Sequence, residues 1–158
     1  MYQLMVFLHI LGAIVFALGH GTSIAVAFRL KKETEHPRIA ALLDASSWST
    51  GIMYVGLLLI VGPGIALGFM GDYWGQWWLW LSIGVLIVVL GTMYGMAAPY
   101  YMRVRAATGA TMRAESVDPG QASAALESLA TSSRPMVLAL IGGVGIVVIL
   151  WLMVAQPG

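Results

Sequence analysis

Four stretches of this 158-residue chain run for about twenty residues or more without a single Lys, Arg, Asp or Glu. They fall near 2–28, 50–70, 77–98 and 136–154. Each is long enough to cross a hydrocarbon layer about 30 Å thick as an α-helix. Lipid offers no partner to an open backbone, so a chain spanning it must satisfy its N–H and C=O groups within each helix or around a closed barrel. Barrel strands alternate apolar and polar residues, and these stretches do not. The expected fold is therefore all-α: a polytopic membrane protein with four transmembrane helices in one bundle. Composition agrees, since a soluble domain of this size has no place for 59% hydrophobic and 9% charged residues.

The net charge of +1 conceals a sorted pattern. Arg29, Lys31, Lys32 and Arg38 follow the first span, and Arg103, Arg105, Arg113 and Arg134 lie between the third and fourth. The opposite side carries one charged side chain, Asp72. The positive-inside rule then puts the loops 29–49 and 99–135 in the cytoplasm and both termini outside, in a bacterial inner membrane. The first span lacks the basic n-region of a signal peptide and is too long for its apolar core, so it reads as a helix of the mature protein. "GDYWGQWWLW" reads as an aromatic belt at the outer surface. "SVDPGQASAALESLATSS" has helix-start residues and apolar positions at helical spacing, predicting a short cytoplasmic amphipathic helix. Pro37 suits a first helical turn, from which "PRIAALLDASSW" can run into span two as a cytoplasmic extension. Pro63, between Gly62 and Gly64, removes the donor that would bond the Leu59 carbonyl and predicts a break in the second span. The glycines of "GGVGI" in span four, and Gly91 and Gly95 in span three, read as helix-packing surfaces.

The chemistry-bearing residues of the spans are two histidines. His9 and His20 are eleven residues apart, three helical turns plus about 20°, and so share a face roughly 16 Å apart along the axis. Small residues flank that face, among them Gly12, Ala13 and Ser23. An ionisable side chain inside a span is a functional hypothesis in its own right. Neutral imidazole is a good haem-iron ligand, and both histidines are candidate metal-binding residues. The plainer reading is a histidine hydrogen-bonded across a helix interface, to a hydroxyl or to a carbonyl freed by Pro63. Substrate or proton handling is a third. Candidate second ligands near the depth of His20 are Met53 and Tyr54 in span two and Met93, Tyr94 and Met96 in span three. His9 has none close by, so haem there is five-coordinate or shared with another subunit.

Several classes are excluded or disfavoured. Without cysteine there is no disulfide, thiolate metal site or Cys nucleophile. Without lysine in a span there is no retinal Schiff base, and without Asp or Glu in a span a carboxylate-driven pump is disfavoured. No catalytic constellation stands out, and no nucleic acid partner is expected.

"LHILGAIVFALGHG", "HPRIAALLD", "MYVGLLLIVGPGIALGFMGDYWGQWWLW" and "MYGMAAPYYMRVRAA" together resemble an uncharacterised family of predicted bacterial four-span membrane proteins, over about residues 5–108. That resemblance implies architecture and bacterial origin and carries no activity. "FLHILGAIVF" alone resembles the first helix of copper-resistance D-like proteins and of membrane-bound haem-synthesis oxidases, which implies a haem-binding role for His9. Those oxidases also use a lysine in a later span, which this chain lacks.

The leading expectation is a small, non-catalytic membrane protein with a redox-associated role, binding b-type haem through His9 or His20. The alternative is a structural or accessory subunit of a homodimer or larger membrane complex, its histidines serving as interhelical hydrogen bonders.

Overall fold

The four charge-free stretches are all helical. The computed structural model describes residues 1–33, 35–107 and 132–157. Its helices are α1 (Tyr2–Leu30), α2 (His36–Met70), α3 (Trp77–Ala107) and α4 (Arg134–Ala155). All four contain an apolar stretch long enough to cross a membrane. The amphipathic helix expected near Asp118–Thr131 lies outside the described residues.

Helix α2 starts well before the second apolar stretch. Pro37 occupies its first turn, where a missing N–H costs nothing. The serines that follow do not break the helix, because their hydroxyls bond back to its own carbonyls: Ser47 to Leu43 O at 3.4 Å and Thr50 to Ser46 O at 2.9 Å. At 35 residues the helix is about 52 Å long, so a turn or more stands outside the hydrocarbon. The span boundary expected at residue 50 is thus a change of solvent rather than the end of a helix. Helix also continues through Pro63 without interruption.

The turn between α2 and α3 is tight. Asp72 sits at φ 54°, ψ 38°, a left-handed conformation that Asp tolerates better than most residues. Gly71 lies against the Tyr73 ring and leaves no room for a Cβ. A single 3-10 turn, Tyr73–Gly75, leads into α3. Trp78 is buried while Trp77 and Trp80 are exposed. The Trp80 Nε1–H donates to Trp74 O at 2.9 Å, and the Trp74 ring lies 5.3 Å from Phe69 and 5.8 Å from Trp80. The expected belt is therefore also a packed cap on the hairpin.

Helix α1 packs along α2, and α3 along α4; α1 and α4 join the two pairs, and α2 approaches α3 more sparsely. Glycine sets the α1–α2 distance. A Cβ at Gly12 would sit 2.7 Å from the Leu59–Ile60 backbone, and one at Gly56 would sit 2.6 Å from Phe16 N. Small residues allow this approach in lipid, where packing rather than water exclusion draws helices together. In α4, Gly142 and Gly145 face His20 and Val89 respectively, as a packing surface requires. Gly91 and Gly95 do not: a Cβ at either meets nothing within 4 Å. That GxxxG pair faces outward because α3 turns Val89, two positions before Gly91, toward α4. The large side chains left exposed, such as Leu58 and Val147, are the surface that meets acyl chains.

Candidate functional site

The two histidines face different neighbours. His9 reaches α2 beside Pro63. Its Nδ1 lies 2.8 Å from the Ile60 carbonyl oxygen. A carbonyl only accepts, so Nδ1 is the donor, and in the neutral ring Nε2 then holds the lone pair. Gly64 makes the contact possible: a Cβ there would stand 3.1 Å from both Nδ1 and Cε1 of the ring. The acceptor is the carbonyl next to Leu59, whose own helical partner Pro63 cannot supply. Nε2 has no hydrogen bond among the described residues and is not fully buried.

His20 is 3% exposed. Its Nε2 and Cε1 lie directly against Gly142 of α4, where any side chain would collide with the ring. Neither ring nitrogen has a hydrogen-bond partner among the described residues. Leaving a buried polar group unsatisfied costs about 1–3 kcal/mol; among the described residues Trp74 Nε1 is the other such atom.

His20 borders a cavity of about 340 Å³, toward the basic end of the helices, to which all four contribute. Of the residues expected near His20, Met53, Tyr54, Met93 and Tyr94 line it, and Met96 does not. Sequence reasoning missed its polar floor, built by Ser23 of α1 and Ser46, Ser47 and Thr50 of α2. Ser49, just beneath, donates to Ser46 O at 2.8 Å. With that proton committed, Ser23 is the donor in the 2.6 Å hydroxyl pair between Ser23 and Ser49. The signal in the sequence was "DASSWST", a cluster of hydroxyls at the membrane end of α2 opposite Ser23.

These two positions differ in what they can hold. The cavity beside His20 is near the bottom of the roughly 300–1,000 Å³ range of small-molecule sites, room for one substituted ring rather than a porphyrin. The Nε2 of His20 is covered by Gly142, and among the described residues no Lys or Arg lines the cavity to pair with propionates. A haem does not fit there. At His9 the donor atom that iron requires is held free by the bond on the other side of the ring. Among the described residues no cluster of three or more His, Asp or Glu side chains forms a metal site.

A family model described as "Predicted integral membrane protein (DUF2269)" matches residues 3–157. No curated protein and no solved structure matches the chain.

Proposed function

The chain belongs to the DUF2269 family of predicted integral membrane proteins, and on that premise we propose a small redox-associated membrane protein that holds b-type haem through His9. One observation carries the reading: the Nδ1–H of His9 is spent on the Ile60 carbonyl at 2.8 Å. Haem-ligating and metal-ligating imidazoles are oriented in the same way, one nitrogen donating to a carbonyl and the other offered to the metal. Gly64 lets the ring lie against α2, and Gly12 holds α2 close enough to be reached. His9 would hold the haem through Nε2, and the bound haem would supply one-electron transfer in an apolar surround. Any second protein ligand would come from a second copy of the chain.

Orientation belongs to the same proposal. Arg29, Lys31, Lys32 and Arg38 cluster at the ends of α1 and α2, and Arg134 begins α4 at the same end of the bundle. By the positive-inside rule that end faces the cytoplasm of a bacterium and both termini face out.

The reading is tested by purifying the protein in mild detergent from haem-replete cells and recording its visible spectrum, oxidised and dithionite-reduced. A Soret band that is lost in His9→Ala and retained in His20→Ala supports it. A colourless protein, or a band that survives His9→Ala, overturns it.

The second reading is an accessory subunit. Gly91 and Gly95 leave an open strip on α3, and the bond from His9 to Ile60 joins two helices whether or not iron is bound. Under it the protein is colourless and self-associates or co-purifies with a larger complex.

A further inference from the structure

The cavity beside His20 is separate from His9, and it has the chemistry of a binding site. Its border includes an imidazole that is 3% exposed with both nitrogens unpartnered. Ser46 Oγ also makes no hydrogen bond among the described residues and is not sealed off. The hydroxyl-bearing side chains of Tyr54 and Tyr94 line the same space. Hydroxyl-bearing side chains on α2 and α3 therefore border one volume whose remaining walls include Phe16, Leu90 and Met93.

The charge of the described walls bears on the class of occupant. Among the described residues no Asp, Glu, Lys or Arg lines the cavity, and transferring an unpaired charge into such surroundings is costly. Those walls favour an uncharged head group over phospholipids, fatty acids and inorganic ions. The volume of about 340 Å³ takes one ring with its substituents. Thioethers of Met53 and Met93 suit a ring face or edge. The lining also runs onto the lipid-facing surface, through Tyr54 and Tyr94, which are 60% and 74% exposed. A ligand can thus enter from the bilayer and leave a hydrocarbon tail in it.

The geometry points to the neutral head group of a membrane quinone as the occupant, its carbonyl oxygens accepting from hydroxyls on α2 and α3, those of Ser46, Tyr54 and Tyr94. Only binding is inferred, and it stands independently of haem at His9.

The test uses the full-length protein in nanodiscs and the short-tailed probe decylubiquinone, titrated by calorimetry. Saturable binding is expected. Tyr94→Phe and Ser46→Ala, which each remove one hydroxyl, should weaken it about three- to tenfold, the value of one hydrogen bond. His9→Ala should leave binding unchanged, so loss of haem and loss of quinone are separate results. Dodecanol, a tail with a single hydroxyl, should not compete. Non-saturable uptake by folded wild type, affinity unchanged in Tyr94→Phe and Ser46→Ala, or equal competition by dodecanol would each overturn the inference.

Discussion

Replacing Gly12 with alanine should do far more harm than the same change nine residues later. A Cβ at Gly12 would stand 2.7 Å from Ile60 N, Leu59 C and Leu59 Cβ, whereas one at Gly21 meets nothing within 4 Å. Two of the three atoms near Gly12 belong to main chain, which cannot rotate away. Ordinary contact begins at 3.4 Å, so α1 and α2 must part locally by about 0.7 Å. The His9–Ile60 bond lies at the same level, and adding that separation to its 2.8 Å takes it to the limit of a hydrogen bond. Overpacking costs about 1–3 kcal/mol, and an interhelical bond in a membrane protein about 0.6 kcal/mol. Both substitutions gain the same helix propensity, so that contribution cancels in the comparison. Gly12→Ala should therefore be about 2–4 kcal/mol less stable than Gly21→Ala. Helix content followed by circular dichroism during SDS titration of the detergent-solubilised variants measures the difference. If the two unfold within about 0.5 kcal/mol of each other, glycine contact is not what sets the α1–α2 distance.

Gly142→Ala should push the His20 ring toward the cavity and lower decylubiquinone affinity, while Gly143→Ala, whose added Cβ meets nothing within 4 Å, should not; calorimetric titration of both variants separates the two. Ser49→Ala removes the acceptor of Ser23 and the bond to Ser46 O, and should cost about 0.5–1.5 kcal/mol in the same SDS titration. The chain has no native cysteine, so single cysteines report topology cleanly: Gly75→Cys should react with an impermeant maleimide in spheroplasts, and Glu33→Cys only after permeabilisation. The reverse pattern would invert the proposed orientation.

The architecture was legible because it rests on lengths of apolar sequence, which the bilayer converts directly into helices. Helix ends were less so. Residues 37–49 count as cytoplasmic loop by polarity, but "PRIAALLDASSW" after Pro37 also reads as a helical extension of span two, and that is what forms, with Ser47 and Thr50 bonded to carbonyls of their own helix. Glycine pairs showed where close packing was available but not which helix would use it, hence Gly142 and Gly145 are covered while Gly91 and Gly95 are not. Depth along the spans was enough to gather His20, Met53, Tyr54, Met93 and Tyr94 around one cavity. Rotation about each helix was not, which is why Met96 falls outside it and the Gly142 backbone covers Nε2 of His20. A hydrogen bond between His9 and a carbonyl near Pro63 was among the readings open from sequence, and the acceptor proves to be Ile60.

The protonation of His9 is the claim on which the haem reading stands. Nitrogen-15 NMR of histidine-labelled, haem-free protein, with His9→Ala used to assign the resonance, reads it directly. The account predicts a protonated, hydrogen-bonded Nδ1 and an unprotonated Nε2 for His9, with the Nε2 signal lost or strongly shifted when haem is added. A His9 protonated at Nε2, or one whose spectrum haem leaves untouched, would contradict it.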